Sequence, residues 1–472
     1  MQPRSATIAI IGGGFSGTVL AANLLRRPPL NPTRIILIER RSHMGWGVAY
    51  RPRAFPYLLN VPASRMSATS YAPTQLIEFA RRRLPEANGD SYLPRQLYGE
   101  YLQECLRSAE QAAPRHVHLE RVHGEVTAVQ PLQGPGPMVV HIADQKYLAD
   151  QVVLACGDPS PVVKSYATQV CTHAAYVPDP HQDKIVLPSD RTVLVIGTGL
   201  TMIDMAVAAA AQNPALRIIA LSRHGLLPAS QRSHQGDAVL DAKLELCGLL
   251  AARSLRQLIA AVRVLAQEVQ ERGGDWREAI TRTRECVPAL WHNLSEVDRR
   301  RFLRHVRVYW DTHRHRMPPE FAERVAAMRR SGQLQLRAGC IQQLRDENGR
   351  IRVRWRARGR LDLEEFSVDR VVDCSGSDHR LLRTRDPLWQ QLIKAGLASP
   401  DTAGLGLRTG QCGALVDAAG RSAAQLFYLG PMLRADHWEA TAVGELRSLA
   451  EALAAALANR ELVPAPAQTD AA

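Results

Sequence analysis

The fold is decided by the stretch IAIIGGGFSG at residues 8–17. Its apolar half predicts a buried β-strand, and the glycines form a GxGxxG turn ahead of an apolar helix pattern over Thr18–Leu25. In such a turn the glycines permit a tight bend, close approach of a pyrophosphate, and close packing of the helix on the strand. The free N–H groups at the helix start then face the phosphates. The residues predicted to contact this dinucleotide are Gly12, Gly14, Phe15, Ser16 and Gly17.

Two later segments are expected to complete this first site. A strand predicted over Arg34–Ile38 ends at Glu39, whose carboxylate can accept hydrogen bonds from ribose hydroxyls, and Arg40 follows it. The apolar run at 150–157 is predicted to be a strand that brings small residues beside the same ligand. We therefore add four cofactor contacts, Glu39, Arg40, Ala155 and Gly157. The alternative is a glycine turn that serves the geometry of the fold alone.

A second copy of the pattern appears as VLVIGTG at residues 193–199. Here Met202 stands in place of the third glycine, so the helix is expected to pack slightly farther from the strand. The run at 369–376 echoes the run at 150–157 in the same way. A second dinucleotide is therefore predicted, with the contacts Gly197, Gly199, Leu200, Thr201, Met202, Ser222 and Arg223.

The end of the next strand bears on which dinucleotide binds there. The strand predicted over Leu216–Leu221 ends in Ser222-Arg223-His224 and has no acid at that point. Replacing a carboxylate by a guanidinium is how such sites accept a 2′-phosphate, which favours NADPH over NADH. The alternative is that Arg223 is a solvated loop residue. With two sites on one chain, we expect FAD at the first and NADPH (or NADH) at the second.

The two fingerprints predict an α/β fold with two dinucleotide-binding Rossmann-like domains, each three-layered with a parallel sheet plus a β-meander. A discontinuous FAD-binding domain over 1–160 and 335–472 would enclose an NAD(P)H-binding domain over 185–334. Apolar residues at helical spacing predict a helical insertion in the second domain at about 238–330. The tail after Leu462 is predicted to be disordered.

The meanders are predicted from short β-rich runs separated by turn residues. The first has strands at Val122–Val129 and Met138–Ala143 around the Gly-Pro-Gly-Pro turn at 134–137. The second has strands at Gly339–Leu344 and Ile351–Arg358.

The charge composition bears on which kind of partner the protein binds. The 472 residues carry 59 basic and 46 acidic side chains, a net charge of +13, and only five of the basic residues are lysine. Steep arginine use reflects either genome composition or repeated gripping of carboxylate and phosphate groups. The arginines are spread along the chain without interleaved aromatics, which argues against nucleic acid and leaves a small anionic substrate.

Other patterns are absent from the sequence. No apolar run approaches the roughly 18 residues of a membrane span, and no signal peptide is visible. The eight cysteines form no CxxC pair, so no metal site or redox dithiol is predicted. We expect a soluble, cytoplasmic protein with no membrane partner, and the sequence does not indicate its oligomeric state.

Several further motifs resemble one bacterial family of FAD/NAD(P)-binding flavoproteins, related to class B flavin monooxygenases. This family includes FAD-dependent urate hydroxylases and L-aspartate N-monooxygenases. The similarity runs over nearly the whole chain. The motifs are GWGVAY at 45–50, LLNVPASRMS at 58–67, PRQLYGEYL at 94–102, IGTGLTM at 196–202, SRHGLLP at 222–228, LGP at 429–431 and WEATAVGELR at 438–447.

The resemblance implies that NAD(P)H reduces FAD and that a peroxyflavin then hydroxylates a small anionic substrate with O₂. Urate, converted to 5-hydroxyisourate in purine metabolism, is the first expectation. The alternatives are an amino-acid N-hydroxylase such as an L-aspartate N-monooxygenase, or a substrate-free NADPH diaphorase or flavin sensor.

The resemblance also assigns residue roles. Asn60 is placed near the reactive edge of the flavin as the catalytic residue, where its amide would limit loss of H₂O₂; alternatively it caps a strand at Leu58–Asn60. A strand at Leu426–Leu429 and a helix around Trp438–Val443 are expected to approach the ring. The further cofactor contacts implied are Gly47, Asn60, Met66, Val126, Gly430, Pro431, Trp438 and Thr441.

The densest basic cluster of the helical segment is His313-Arg314-His315-Arg316. One interpretation is a solvated helix end, and the other is a clamp for an anionic substrate or for nicotinamide phosphates.

Overall fold

A computed structural model of the chain describes residues 5–132, 136–181, 185, 187–232 and 246–459. Part of the predicted Gly-Pro turn (134–135), the predicted start of the helical insertion (238–245) and the tail after Leu462 lie outside the described residues. The chain divides into two compact units. The first comprises 1–52, 62–160 and 378–472, and the second comprises 53–61 and 161–377.

Strands and helices alternate near the start of each unit, over residues 6–39 and 192–222, as in α/β proteins, and runs of consecutive strands and consecutive helices follow. In chain order the strands are β1 (Ala6–Ile11), β2 (Thr33–Glu39), β3 (Val117–His123), β4 (Val126–Pro131), β5 (Met138–Ile142), β6 (Gln145–Ala149), β7 (Gln151–Leu154), β8 (Tyr176–Val177), β9 (Thr192–Ile196), β10 (Arg217–Ser222), β11 (Leu334–Glu347), β12 (Arg350–Ala357), β13 (Leu363–Val368), β14 (Arg370–Asp373), β15 (Ala414–Val416) and β16 (Ser422–Tyr428).

The helices, in the same order, are α1 (Phe15–Arg26), α2 (Gln75–Arg81), α3 (Arg95–Gln111), α4 (Leu200–Gln212), α5 (Cys247–Ala251), α6 (Leu255–Glu271), α7 (Trp276–Asn293), α8 (Glu296–Arg301), α9 (Arg307–Arg314), α10 (Pro319–Arg330), α11 (Pro387–Lys394) and α12 (Val443–Ala458). Short 3₁₀ turns lie at Ala63–Arg65, Ser165–Val170, Leu381–Arg383, Gln411–Gly413 and Pro431–Ala435. A π-helical turn at Phe302–Val306 joins α8 to α9. No helix within the described ranges is long and apolar enough to cross a membrane.

The first unit is built on a six-stranded sheet in the order β15-β16-β7-β1-β2-β3, in which β15 alone runs antiparallel to its neighbour. Because side chains alternate across a strand, Ala9 and Ile11 face one side of the sheet and Ile8 and Ile10 face the other. The first side packs against the antiparallel sheet β4-β5-β6 and α11. Helices α1, α3 and α12 pack together on the other side. The result is three layers.

The second unit repeats this plan with a seven-stranded sheet in the order β13-β12-β11-β10-β9-β14-β8. Its parallel strands pack on one face against α4 and α10, where Met202, Phe321 and Met328 are buried. On the other face, Val353 and Trp355 of the antiparallel strand β12 complete a second core. Helices α5, α6 and α7 share a small core of their own around Val269. The predicted fold class, an α/β protein with two Rossmann-like units, is confirmed.

Two of the predicted strands have different bounds in the structure. The run Val122–Val129 is not one strand, because Gly124 separates β3 from β4; a Cβ at Gly124 would lie 2.3 Å from the Ile142 side chain. Strand β3 joins the parallel sheet beside β2 instead of the meander. The strand predicted at Gly339–Leu344 is part of the longer β11, whose first half pairs with β10 and whose second half pairs with β12.

The boundaries of the units also differ from the expected ones. Residues 335–377, expected with the FAD-binding domain, lie in the second unit because β11 pairs with β10 and β14 with β9. Residues 53–61 are grouped there as well, since Phe55 and Leu58 pack against the core of α4 and α10.

Candidate dinucleotide-binding sites

The turn between β1 and α1 has the geometry that a pyrophosphate needs. Gly12 has a φ of +109°, and a Cβ there would lie 2.4 Å from the carbonyl oxygen of Ala155. A Cβ at Gly17 would lie 1.9 Å from the carbonyl oxygen of Gly12. At Gly14 the nearest atom to such a Cβ is the Cα of Gly47, 3.6 Å away, so the turn is open there. The first and third glycines are thus required for packing, and the second leaves space for a ligand.

The start of α1 offers unneutralised N–H groups at the same place. Gly14 is its N-cap and makes no side-chain capping bond, and the first turn of the helix contains no acid. Phe15, Ser16 and Gly17 occupy that first turn. Since the positive end of the helix dipole has no counter-charge on its own turn, this end suits an anionic group.

Glu39 lies at the end of β2 as predicted, and its carboxylate already supports the turn. The side chain is 6% exposed, one oxygen accepts from the Gly13 N–H at 2.7 Å, and the other accepts from the Arg41 N–H at 3.0 Å. The carboxylate therefore joins the glycine turn to the end of β2. Each carboxylate oxygen retains a second lone pair for a ribose hydroxyl.

The other residues assigned to the first site have varied surroundings. Arg40 is exposed and pairs with Glu125 at 3.1 Å. Met66 follows the Ala63–Arg65 turn and is buried, and Val126 begins β4 in the core between sheet and meander. Gly47 packs on Gly14, with 3.2 Å between a built Cβ and the Gly14 Cα.

The C-terminal segment reaches the same edge of the sheet through Tyr428, which sequence reasoning missed. Burial raises the pKa of this phenol well above its usual range, so the hydroxyl keeps its proton. It donates to the Gly157 carbonyl at 3.1 Å and accepts from the Met432 N–H at 3.2 Å. A Cβ at Gly430 would lie 2.6 Å from the same hydroxyl. Tyr428 thus holds Gly157 and the Gly430–Pro431 turn together.

The helix expected around Trp438–Val443 begins only at Val443, with Ala442 as its N-cap. Trp438 is buried in the turn before it, under the Arg434 guanidinium at 4.4 Å from the ring centre. Thr441 is exposed in that turn. The helix starts late because residues 437–442 form separate turns, in which the Ala440 N–H donates to the His437 carbonyl at 2.8 Å and the Ala442 N–H donates to the Glu439 carbonyl at 3.0 Å.

The glycine turn of the second unit repeats the first. Gly197 has a φ of +104°, and a Cβ there would lie 2.4 Å from the carbonyl oxygen of Cys374 at the end of β14. Gly199 caps α4 without a side-chain bond, and nothing lies within 4 Å of a Cβ built on it. Leu200 and Thr201 form the first turn of α4, and Met202 is fully buried in the core.

A hydrogen-bonded loop follows β10 beside this turn. The Thr198 hydroxyl donates to the Leu226 carbonyl at 2.6 Å and lies 2.9 Å from the Ser222 hydroxyl. The Ser222 hydroxyl accepts from the Gly225 N–H at 3.0 Å. Ser222 therefore orients the loop, in which Arg223 is exposed.

Asn60 belongs to the segment 53–61 of the second unit, and Leu58–Asn60 do not form a strand. Its carbonyl accepts a hydrogen bond from the Gln231 side-chain amide at 3.1 Å. Asn60 is half-buried, and within the described part of the chain its own side-chain amide makes no hydrogen bond. The Gln231 contact joins residues 171 positions apart, and no sequence motif signals it.

The basic cluster at 313–316 is only partly solvated, and its role as a clamp for an anionic group stays a prediction. His313 is exposed, and His315 lies 3.8 Å from Asp311. Arg316 is 7% exposed, with its guanidinium 5.9 Å from the centre of the Trp276 ring. The cluster is therefore part helix end and part buried basic group.

Comparisons with known proteins agree with this geometry. Residues 9–159 match a family model described as FAD-NAD(P)-binding. The predicted FAD and NAD(P)H cofactors are confirmed at the level of that description. No curated protein sequence matches the chain.

Solved structures of similar fold cover nearly the whole chain. An ornithine N-hydroxylase from Kutzneria sp. 744, with reduced FAD, NADP⁺ and L-ornithine, has a TM-score of 0.58 at 16% identity and covers 96% of this chain and 99% of its own. The L-lysine 6-monooxygenase from Pseudomonas syringae has a TM-score of 0.64 at 15% identity, with 97% and 100% covered. An FAD-bound cadaverine monooxygenase from Erwinia amylovora has a TM-score of 0.62 at 14% identity, with 98% and 96% covered. The chain has the fold of these two-domain flavoenzymes.

Proposed function

We propose that the protein is a flavin-dependent monooxygenase that uses FAD, NAD(P)H and O₂ to hydroxylate the amine nitrogen of a small substrate. The observation that carries the proposal is the pair of glycine turns, one in each unit, each leading into a helix whose first turn holds no acid. Two such turns on one chain suit two dinucleotides. The near full-length likeness in fold to N-hydroxylating monooxygenases supports the reaction class.

FAD fits the first turn. The open face of Gly14 and the first N–H groups of α1 suit its pyrophosphate, and Glu39 suits its ribose hydroxyls. When bound, the flavin supplies electron transfer from the nicotinamide and activation of dioxygen. The chain's own part is to hold the nucleotide at the turn and to fix the small-residue edge at Gly157 and Gly430 through Tyr428.

NADPH is the proposed dinucleotide of the second turn. Gly199 leaves room for a pyrophosphate, and Arg223 stands where a carboxylate would otherwise bind the ribose. A guanidinium at this point binds a 2′-phosphate by charge-assisted hydrogen bonds. The Ser222 hydroxyl acts indirectly, by fixing the loop that carries Arg223.

Asn60 is proposed to act on the reacting groups through its side-chain amide. The amide is half-buried and uncommitted within the described residues, and Gln231 holds the backbone of Asn60 in place. An amide has donors and an acceptor, so it can orient both an oxygen atom and an amine. Its proposed effect is to direct oxygen to the substrate and away from release as H₂O₂.

An amine replaces urate as the preferred substrate. The neighbours in fold named above act on ornithine, lysine and cadaverine, which share a primary amine on an aliphatic chain. This favours the alternative of an amino-acid-type N-hydroxylase over urate hydroxylation. Ornithine, lysine and cadaverine carry a net positive charge at neutral pH, so this choice replaces the expected small anionic substrate by an amine, and L-aspartate is the anionic amino acid that remains to be tested.

The proposal is tested with purified, FAD-loaded protein and a substrate panel. L-Ornithine, L-lysine, L-aspartate, cadaverine, urate and xanthine are each incubated with NADPH in air, and the products are identified by mass spectrometry. From at least one amine we expect a hydroxylamine product, which is one oxygen atom heavier than the substrate. Hydroxylation of urate alone would restore the first expectation, and NADPH oxidation with no organic product would favour a diaphorase.

A further inference from the structure

Three strands of the second unit meet at the edge where β10 ends. Ser222, the last residue of β10, lies opposite Ala338 in the parallel ladder with β11. From the other side, where β12 returns antiparallel to β11, the Arg358 N–H donates to the Ala338 carbonyl at 2.9 Å. Arg223 and Arg358 are thus 135 residues apart in sequence but flank the same residue of β11.

The residue of β11 that lies between these two strand ends, Ala338, has a small side chain. Gly225 has a φ of +62°, and a Cβ built on it would lie 3.1 Å from the Ala338 Cβ. The loop after β10 therefore rests directly on the small side chain of Ala338. Neighbouring strands are about 4.8 Å apart, so the backbones of residues 223 and 358 are separated by about 10 Å, a gap that two arginine side chains can close around one anion.

The charges at this edge are unbalanced. Arg223 and Arg358 are both exposed, and among the described residues neither makes an ion pair. Near both guanidinium groups, the Nδ1 atom of His224 is buried without a hydrogen-bond partner in that part of the chain. Burial and the two neighbouring guanidinium groups, Arg358 and then Arg223, lower the pKa of His224. Positive groups gathered without a facing carboxylate are typical of an anion-binding site.

We propose that Arg358 is a second guanidinium of the 2′-phosphate site, binding the same phosphate monoester as Arg223 from the opposite side of Ala338. The inference rests on the proposed use of NADPH and extends it to a residue outside the dinucleotide fingerprint. Two forks on one phosphate discriminate NADPH from NADH more strongly than one. Arg358 therefore sets the coenzyme specificity together with Arg223.

The test is isothermal titration calorimetry of the full-length, FAD-loaded protein with 2′,5′-ADP and with 5′-AMP. The variant Arg358→Ala is expected to bind 2′,5′-ADP about tenfold more weakly while its affinity for 5′-AMP is unchanged, because one exposed charge-assisted contact is lost. Arg358→Lys should recover part of the loss. The matched control is Arg330→Ala, an equal loss of charge at the end of α10, ahead of the opposite end of β11.

The outcomes separate this inference from the proposed function. If Arg223→Ala weakens 2′,5′-ADP but Arg358→Ala does no more than Arg330→Ala, the role of Arg358 is wrong and NADPH selectivity stands. An equal loss in Arg358→Ala and Arg330→Ala would reduce the effect to net charge and also overturn the inference. If the unaltered protein binds 2′,5′-ADP no more tightly than 5′-AMP, the proposed NADPH selectivity itself fails. Retained FAD absorbance and unchanged affinity for 5′-AMP together establish that both units of each variant are folded.

Discussion

The hydroxyl oxygens of Thr198 and Ser222 lie 2.9 Å apart and join the glycine turn of the second unit to the loop that follows β10. The same two side chains bind the Leu226 carbonyl and the Gly225 N–H. Turn and loop are therefore held as one structure, although 24 residues of sequence separate the two hydroxyls. We propose that this link sets the distance between the pyrophosphate and the 2′-phosphate of NADPH.

Removing the Thr198 hydroxyl tests this link. Thr198→Val keeps the shape of the side chain but loses two hydrogen bonds, each contributing about 1 kcal/mol. We expect NADP⁺ to bind about five- to tenfold more weakly by calorimetry, with FAD content unchanged. Thr283→Val is the control, since that buried hydroxyl donates to the Ala279 carbonyl at 2.8 Å in α7. Equal NADP⁺ affinities in the two variants would leave the link with a role in stability only.

Arg223 provides the test of coenzyme choice. Arg223→Ala removes the guanidinium proposed to bind the 2′-phosphate, so KM for NADPH should rise about tenfold or more while KM for NADH changes little. The measurement is the initial rate of oxidation of each coenzyme by the FAD-loaded protein. An equal loss for both coenzymes would mean that Arg223 serves the loop and not the phosphate.

In the first glycine turn, two glycine-to-alanine substitutions are predicted to have different effects, one on stability and the other on FAD binding. Gly17→Ala places a Cβ 1.9 Å from a backbone carbonyl, so it should lower the free energy of unfolding by more than about 2 kcal/mol. Gly14→Ala meets only the Gly47 Cα at 3.6 Å, so the apoprotein should fold normally and yet bind FAD about tenfold or more less tightly.

Thermal unfolding and titration of the apoprotein with FAD separate the two effects. Gly248→Ala is the control, since nothing lies within 4 Å of a Cβ at that position in α5. Normal FAD affinity in a folded Gly14→Ala protein would remove the pyrophosphate from this turn.

Asn60 and Gln231 are both predicted to limit the fraction of NADPH electrons that is lost as H₂O₂. Asn60→Ala loses the side-chain amide, and Gln231→Leu releases the Asn60 carbonyl from its 3.1 Å hydrogen bond. Both should raise the fraction of NADPH electrons that end in H₂O₂, with Asn60→Ala the larger, while FAD content stays constant.

Gln333→Leu is the matched control for Gln231, because its side chain makes the same kind of bond to the Pro214 carbonyl at 2.8 Å. If Gln333→Leu raises H₂O₂ as much as Gln231→Leu, the effect belongs to general loosening of the second unit. Unchanged H₂O₂ in Asn60→Ala would leave Asn60 with a structural role.

The strand–turn–helix units could be predicted from the sequence, because short stretches of the chain determine them. The strand–turn–helix units at 8–25 and 193–212 follow from apolar runs and glycine spacing, and their turns have the expected geometry. The boundaries between the units could not be predicted in the same way. Residues 335–377 belong to the second unit because β11 pairs with β10, which is a tertiary choice that the run itself does not signal.

The missed site residues have the same explanation. The Tyr428 hydroxyl and the Gln231 amide each bond a backbone carbonyl far away in sequence, at Gly157 and Asn60, and the proposed Arg358 is placed by its backbone bond to Ala338. None lies inside a fingerprint. The strand–helix–strand pattern indicates that the carboxyl ends of the parallel strands meet at one edge of a sheet. It does not indicate which side chains form contacts from one strand end to another.

The central claim, oxygen transfer to an amine substrate, is tested most directly by accounting for the electrons of NADPH. The FAD-loaded protein is supplied with NADPH in air, and NADPH consumed, H₂O₂ formed and hydroxylamine formed are measured with and without each amine of the panel. We predict slow NADPH oxidation without substrate, and with the correct amine a faster rate in which hydroxylamine accounts for most of the NADPH. Full-rate oxidation that yields one H₂O₂ per NADPH, whichever amine is present, would contradict the claim.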